Sequence, residues 1–373
     1  MLLADMGAEV IKLEIPNLGD DSRQFPPFQQ NESLYYANLN RGKRSITINL
    51  KHHKGKQLFC KLIMRCDVLM ENFRPGTMER LGIGYDQLKK ENPRLIYASI
   101  SGFGRTGRYK DRPGYDIIGQ AMGGLLAITG WPDSPPTRTG TAIADVLSAL
   151  FCCVGILSAL RIRDQTGEGQ LIDVALVDSV VASLENITQQ YFASGEPPHR
   201  IGNRYEFIYP YDSFRAADGW VIIGIANNSI WNRFVNIIHL SNVGDLRRFA
   251  NNPQRVKHHH RLKLLIEAWT RTRHVKELVE LLNAEGVPAA PIYSIKEVVE
   301  DPHIVIDRQM FIDETHPRIG KVTLLGNPIK MSATQPKPRG PAPQLGQHTK
   351  EILTRILRLQ QKDVDALHLQ GVI

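Results

Sequence analysis

The sequence predicts an α/β fold in which a large Rossmann-like domain with a mainly parallel sheet is followed by a smaller α+β domain. Over the first 195 residues, short apolar runs typical of buried strands alternate with helical patterns. This alternation is the pattern of a parallel sheet with crossover helices. A connection rich in glycine and proline, residues 195–203, then interrupts the alternation. Together these observations place a domain boundary near residue 195.

The elements of the large domain follow from apolar periodicity. Strand-like runs occupy residues 9–13, 45–50, 67–71, 95–101 and 171–175. Helical patterns cover residues 55–65, 145–164 and 178–193, after an opening helix that ends near Gly7. Because open α/β sheets bind ligands beyond the carboxyl ends of their strands, we expect functional residues just after these runs.

Three segments divide the chain. Residues 1–195 form the large domain, residues 196–300 the smaller one, and residues 301–373 a linker followed by a return to the large domain. The smaller domain is expected to contain strands at 220–225 and after Pro288, and helices at 228–239, 261–272 and 275–285. Two helices within residues 350–369 close the chain.

Charge and composition narrow the class of partner. The formal net charge of +8 suits an anionic partner. Basic residues are scattered among acidic ones and form no basic helix or zinc knuckle, so we expect no nucleic-acid partner. No run approaches the roughly 18 to 20 uninterrupted apolar residues of a membrane helix, and no signal peptide is apparent. We therefore expect no membrane association and a cytoplasmic location.

Neither cysteine nor histidine spacing indicates a metal site. The four cysteines, residues 60, 66, 152 and 153, form no CxxC pair, and we expect neither a disulfide nor bound zinc. The run His258, His259 and His260 is interpreted as a helix start, because consecutive side chains point in different directions.

The segment 102–107 matches the pattern GxGxxG and follows a predicted strand. However, no helix pattern opens there, and the polar stretch that follows ends at Pro113. We therefore predict a mobile glycine loop and not a dinucleotide site.

The segment 71–80 leaves a predicted strand through a Pro-Gly turn. Arg74 and Arg80 offer guanidinium groups suited to phosphate, Asn72 offers an amide, and Phe73 offers an apolar face. The same residues also fit an ordinary solvated turn, and the pattern alone leaves both interpretations open.

Asp178 follows the predicted strand 171–175 and begins a largely apolar helix. Such a position suits a helix N-cap, which contributes ~1 kcal/mol. Spacing alone favours this interpretation over a carboxylate nucleophile at the mouth of a pocket, which the position also allows. Asp145 admits the same two interpretations.

Read in order, several fragments resemble the family III CoA-transferases, a group that includes formyl-CoA:oxalate and carnitine CoA-transferases and the related alpha-methylacyl-CoA racemases. The matching fragments are residues 7–14, 40–46, 71–76, 92–96, 167–170 and 345–349. They span nearly the whole chain, and their joint order is far more specific than any single fragment.

The resemblance implies an enzyme that exchanges coenzyme A between an acyl-CoA and a free carboxylic acid through a covalent aspartyl-CoA intermediate on Asp178. Coenzyme A enters as a substrate, with no permanently bound cofactor and no metal. The resemblance also implies that the large domain binds coenzyme A and that two chains form an interlocked homodimer. The implied contacts to coenzyme A are Ile48 and Lys51 beside the adenine, Asn72, Phe73 and Arg74, then Arg80 at the phosphates, and Gly114, Tyr115 and Asp116 near the thioester.

Departures from the family pattern keep alternatives open. The family begins with a strand and loop ahead of the position of Met1, so we expect a truncated sequence or altered activity. Ile15 replaces a frequent basic residue, with Lys12 or Arg23 as substitutes. The racemases carry Gly-His-Asp where this chain has Gly-Tyr-Asp around Tyr115, which disfavours a 2-methylacyl-CoA racemase. A CoA-binding protein without turnover is a further alternative.

Overall fold

A computed structural model describes residues 1–239 and 246–373, which divide into two compact units. The first unit comprises Met1–Gly119, Ile143–Ser179 and Val298–Ile373, and the second comprises Gln120–Ala142 and Val180–Glu297. These units differ from the boundary at residue 195, because a division drawn along the sequence cannot follow a chain that enters the second unit twice.

The strands of the first unit pair in parallel, as the alternating pattern predicts. Ile11–Glu14 pairs with Arg44–Thr47 in a two-stranded sheet. A second sheet has three strands, with Ile96–Ser101 between Val68–Glu71 and Leu171–Ala175. The parallel α/β architecture is therefore confirmed, although the strands form two sheets where the sequence suggested one.

The helix His53–Ile63 covers both parallel sheets. Its Leu58 and Leu62 pack in a core with Ile46 of the first sheet. One residue further along, Phe59 and Ile63 pack with Tyr97 of the second sheet and its neighbours. Residues about one turn apart lie on the same face of a helix. Leu58 and Leu62 therefore form one apolar stripe and Phe59 and Ile63 an adjacent one, and each stripe packs into a different core.

The C-terminal helices Thr349–Leu357 and Gln361–Leu369 return to the two-stranded sheet. Ile352, Leu353 and Val364 share the core of Ile46. The other helices that start in this unit are Leu2–Asp5, Leu34–Asn40, Thr77–Arg80, Tyr85–Glu91, Asp116–Met122, Ile143–Thr166 and Leu176–Ala182. Short strands pair as hairpins, Phe28–Gln29 with Glu32–Ser33 and Phe311–His316 with Gly320–Leu325, and single turns of other helix types lie at Asp21–Gln24 and His303–Asp307.

The second unit is built on an antiparallel sheet, in which Trp220–Gly224 lies between Tyr211–Arg215 and Ala289–Pro291. Its core contains Phe214, Ile223, Phe234 and Leu262, all fully buried. The helices are Leu125–Ile128, Ile187–Ser194, Asn228–Ile237, Asn252–Lys257, His259–Thr270, Val275–Ala284 and, at the junction, Ile295–Glu300, with a 3-10 turn at Leu246–Phe249. His258 precedes the helix His259–Thr270, so the histidine run is a helix start.

The helix Ile143–Thr166 differs from the sequence-based expectation of no membrane-length segment. By length and composition alone it is apolar enough to cross a membrane, and 28% of its most apolar window is buried within the chain. A search for uninterrupted apolar runs misses it because Ser148, Gly155 and Ser158 fall among its apolar residues.

We predict that Ile48→Ala lowers the free energy of unfolding by ~2–5 kcal/mol, the usual cost of a large cavity in a packed core. Ile48 is 1% exposed and packs with Ile46 and Leu62. The matched control is Lys51→Ala three residues later, where the side chain is exposed and the change is expected within ~0.5 kcal/mol. Urea unfolding followed by circular dichroism measures both, and equal midpoints for the two variants would contradict the placement of Ile48.

Candidate active site

The carboxyl ends of three parallel strands meet at one edge of the three-stranded sheet. In the register, Glu71 lies opposite Ser99, and Ser101 lies opposite Ala175. The segments that leave this edge are 72–80, 102–115 and 176–182. This is the edge where open α/β sheets bind ligands. The strand order therefore brings together Asp178, the basic segment and the glycine loop, which the sequence singles out separately.

Asp178 lies in the first turn of the helix Leu176–Ala182 and is exposed. Leu176, Ser179 and Val180 bury the opposite face of that helix. The carboxylate of Asp178 makes no hydrogen bond or ion pair with any residue in the described ranges. Because the helix begins two residues earlier, Asp178 is not its N-cap. Of the two interpretations of this residue, the structure retains the open carboxylate.

The glycine loop passes close to Gly114. A Cβ atom added to Gly102 would lie 2.7 Å from the Gly114 Cα, and one added to Gly114 would lie 2.5 Å from the Gly102 Cα. Only two glycines allow this approach. The Val177 N–H donates to the Gly102 carbonyl at 3.3 Å. Gly114 and Tyr115 are thereby placed beside the loop that contacts the helix of Asp178.

Asp116 has a structural role that the sequence did not indicate. Its Oδ1 accepts hydrogen bonds from the Ala144 N–H at 2.8 Å and the Asp145 N–H at 3.4 Å. These are otherwise unsatisfied donors at the start of the helix Ile143–Thr166. Burial raises the pKa of Asp145, and the Asp116 charge adds to that rise. Among the three residues predicted to lie near the substrate thioester, Tyr115 has a side chain open to solvent, with 76% of it exposed.

The basic segment after Glu71 presents its predicted contact residues to solvent. Asn72, Phe73 and Arg74 are exposed, as is Arg80. The Arg80 guanidinium donates to the Thr77 hydroxyl at 2.9 Å. Within the described part of the chain neither Arg74 nor Arg80 pairs with a carboxylate. Both positive charges are therefore available for a phosphate group.

The residues expected near the adenine differ in availability. Lys51 is exposed, whereas the side chain of Ile48 lies in the core and presents no face to a ligand. Of the two basic substitutes, Lys12 binds Asp20 at 2.7 Å, and Arg23 binds Glu14 at 2.7 Å. Both substitutes are engaged in ion pairs, which leaves Lys51 as the available basic side chain of this group.

Sequence reasoning missed the residues that hold the glycine loop in place. The Gly104 N–H donates to the Ser101 hydroxyl at 3.0 Å, and the Arg105 N–H donates to Asp173 at 2.9 Å. The Arg105 side chain binds Glu79. The loop expected to be mobile is thus anchored at several points. No local pattern indicates the contacts of the Arg105 side chain, because Glu79 and Glu71 lie 26 residues or more away in the sequence.

The described residues contain no group of three or more histidine, cysteine or acidic side chains arranged to hold a metal ion. The four cysteines are free thiols. Burial raises the pKa of Cys66 and of Cys152 to about 11, so these thiols are poor nucleophiles at neutral pH.

Comparison with known proteins agrees with this arrangement. The model of CoA-transferase family III matches residues 1–349. The chain is 40% identical to the succinyl-CoA:mesaconate CoA-transferase of Haloarcula hispanica, over 95% of this chain and 90% of that protein. It is 39% identical to the succinyl-CoA–D-citramalate CoA-transferase of Chloroflexus aurantiacus, over 100% of this chain and 93% of that protein. A crystal structure of a CaiB/BaiF family protein from Brucella suis is similar at a TM-score of 0.83 and 37% identity, covering 95% of this chain and 93% of that one.

We predict that Gly114→Ala destabilises the protein by ~1–3 kcal/mol, the usual cost of forcing atoms into a packed contact. The physical reason is the 2.5 Å approach of the added Cβ to the Gly102 Cα. Gly140→Ala is the matched control, since a Cβ there meets nothing within 4 Å. Thermal unfolding of both variants tests the contact, and a Gly114→Ala protein as stable as Gly140→Ala would rule it out.

Proposed function

The chain belongs to CoA-transferase family III, and from this premise we propose that Asp178 is the carboxylate through which it moves coenzyme A between two carboxylic acids. The observation that carries the proposal is the exposed, unpaired carboxylate of Asp178 at the sheet edge where the basic segment and the glycine loop meet. A nucleophile must be free of competing hydrogen bonds, and this one is free of them within the described chain.

The proposed reaction proceeds by covalent catalysis in balanced steps. An Asp178 oxygen attacks the thioester carbonyl carbon. The carbon–sulfur bond then breaks, which releases CoA thiolate and forms a mixed anhydride between Asp178 and the donor acid. The thiolate then attacks the Asp178 carbonyl carbon, which releases the donor acid and forms an aspartyl-CoA thioester. The acceptor carboxylate attacks that thioester, which expels CoA thiolate and forms a second mixed anhydride. The thiolate then attacks the acceptor acyl carbon, which forms the product acyl-CoA and releases the Asp178 carboxylate. Dividing one exchange into such steps lowers each barrier.

The surroundings of Asp178 suit these steps. The carboxylate lies in the first turn of its helix, near the positive end of the helix dipole. Each attack creates an oxyanion. We propose as its donors main-chain N–H groups of the glycine loop other than those of Gly104 and Arg105, which donate to Ser101 and Asp173. Such donors are typically worth ~3 kcal/mol each. Tyr115, exposed beside that loop, is proposed to lie near the thioester.

Coenzyme A is proposed to bind along the segment that follows Glu71. Arg80 and Arg74 would hold phosphate groups, because both guanidinium groups lack a carboxylate partner in the described residues. Asn72 and Phe73 would contact the pantetheine or adenine, and Lys51 the adenine region. Asp116 contributes by capping a neighbouring helix.

The substrates are proposed from the relatives' names. The proteins of Haloarcula hispanica and Chloroflexus aurantiacus are both named for succinyl-CoA and a dicarboxylic acid. We propose succinyl-CoA as the donor and a dicarboxylic acid as the acceptor for this chain, and the net charge of +8 suits such anions. Succinyl-, acetyl- and formyl-CoA offered with matched mono- and dicarboxylic acids would measure this preference.

A homodimer and a cytoplasmic location complete the proposal. The helix Ile143–Thr166 exposes a row of large apolar side chains to solvent in the single chain: Val146, Leu150, Phe151, Val154, Leu157 and Ile162. A continuous apolar surface of this kind usually marks an interface. We propose that a second copy of the chain covers it, as in the interlocked dimer that the family resemblance implies. Light scattering on the purified protein would give the oligomeric mass.

We predict that Asp178→Ala lowers the rate of acyl transfer by ~10³-fold or more while thermal stability and CoA affinity stay near those of the parent. Removing the nucleophile leaves the phosphate contacts in place. Asp86→Ala, which removes an exposed aspartate from the helix Tyr85–Glu91, is the matched control and should keep full activity. Residual transfer within tenfold of the parent would contradict the assignment.

Trapping separates this function from its two rivals. Incubation with an acyl-CoA and hydroxylamine should modify Asp178 in the parent and leave Asp178→Ala unmodified. Exchange of the α-hydrogen of a 2-methylacyl-CoA without trapping would instead indicate a racemase. Binding of CoA with neither reaction would indicate a protein without turnover.

We further predict that Arg80→Ala raises the KM about tenfold, the effect of losing a charge-assisted contact worth ~1.5 kcal/mol. The increase should be similar for every acyl-CoA. Arg80 is proposed to contact the constant part of the substrate, so acyl-chain identity should not alter the factor. Arg65→Ala, at another exposed arginine, serves as the control. A factor that varies strongly with the acyl group would place Arg80 at the acid-binding end.

A further inference from the structure

Arg105 lies in the middle of the glycine loop but is not a free surface cation. Its side chain is 15% exposed and contacts two carboxylates, Glu79 at 2.6 Å and Glu71 at 3.6 Å. The guanidinium carbon lies 5.5 Å from the centroid of the Tyr97 ring. Its main-chain N–H donates to Asp173 at 2.9 Å. One residue thus contacts all three strands of the parallel sheet, or the segments that leave them.

The two carboxylates that Arg105 contacts lie at the two ends of the proposed CoA-binding segment 72–80, Glu71 just before it and Glu79 within it. Glu71 ends its strand and accepts the Phe73 N–H at 2.7 Å, which fixes the main chain at the first predicted contact residues. Glu79 immediately precedes Arg80 in the helix Thr77–Arg80. A displacement of Arg105 would therefore release both ends of that segment from the glycine loop.

We propose that Arg105 is a positioning residue that fixes the glycine loop and the segment 72–80 in one arrangement and neutralises Glu71 and Glu79 for an anionic substrate. The inference rests on the proposed function, since the segment matters only if it binds coenzyme A. Arg105 differs from Arg74 and Arg80 because its charge is already matched by two carboxylates. It acts through those partners and does not itself hold the phosphates.

The electrostatic part of this role can be separated from packing. Without the guanidinium, two carboxylates remain beside the phosphate-binding arginines and repel coenzyme A. Burial raises the pKa of Glu71, and Arg105 opposes that rise. The groups that face Glu71 are Arg105, Glu79, the Tyr97 phenol, the Ser99 hydroxyl and the Phe73 N–H. Once Arg105 is removed, Glu71 should take up a proton at higher pH than in the parent.

This gives the sign of a pH effect. In an Arg105→Met protein the repulsion should be greater at pH 8 than at pH 6, because carboxyl groups lose protons as the pH rises. As the pH falls, Glu71 in the variant takes up a proton at a higher pH than Glu71 in the parent, and part of the repulsion is relieved. In the parent the guanidinium opposes this protonation and neutralises Glu71, so the affinity of the parent for coenzyme A should change less between pH 8 and pH 6.

The test is titration calorimetry with free coenzyme A at pH 6 and pH 8. We expect Arg105→Met to weaken CoA binding about tenfold at pH 8 and clearly less at pH 6. Adding Glu79→Gln to Arg105→Met should recover part of the loss, because one uncompensated charge is removed. Arg105→Lys should lie between the parent and Arg105→Met. Arg94→Met, at an exposed arginine that donates to the Gly167 carbonyl, is the control and should bind as the parent does.

Three results would overturn the proposal. Parental affinity in Arg105→Met would show that the contacts are dispensable. A loss of equal size at both pH values, not relieved by Glu79→Gln, would make Arg105 a direct CoA ligand or a purely structural residue. If Arg105→Met fails to fold, Arg105→Lys with and without Glu79→Gln gives the same comparison, and identical affinities in that pair would count against the role. These readouts use CoA binding alone, so an active Asp178→Ala would refute the nucleophile and leave the result for Arg105 standing.

Discussion

Parallel pairing of Val68–Glu71, Ile96–Ser101 and Leu171–Ala175 is the constraint on which the site depends. Parallel strands end on the same side, so three segments far apart in sequence leave the sheet together. The middle strand is buried along almost its whole length, which fixes the register through side-chain packing on both faces. A shift of one residue in the strand register would point the Glu71 side chain away from the glycine loop. The contacts of Arg105 with its two carboxylates would then be lost.

The charges at this edge fall into two classes. Glu71, Glu79 and Arg105 neutralise one another and hold the main chain. Asp178 and Arg80 have no oppositely charged partner within the described ranges. A paired charge is a poor nucleophile or phosphate ligand, because the substrate would first have to displace its partner. The paired groups therefore hold the main chain in place, and the unpaired groups remain available to bind the substrate or react with it.

Local patterns predicted the elements well and the side-chain partners poorly. The strand at 171–175 was predicted with its observed bounds, because its apolar run is short and sharply ended. Asp178 and Arg80 were singled out because they lie in segments that follow strands, a position readable from sequence, and their proposed roles came from the family resemblance. Arg105 was missed, since its bonds to Glu71 and Glu79 span 26 residues or more and leave no local signal. Ile48 was predicted to lie beside the adenine of coenzyme A. Its side chain is buried in the core, which only tertiary packing shows.

Asp116 and Asp178 show why position along the chain does not decide function. Each stands in the first turn of a short helix, and each follows a segment that leaves the same sheet edge. Asp116 lies across from the start of the helix Ile143–Thr166 and satisfies two of its main-chain donors. Among the described residues no main-chain or side-chain group donates to Asp178, so both of its carboxylate oxygens are without a hydrogen bond. The same residue type at the same kind of site becomes a cap where donors are within reach and an open carboxylate where they are not.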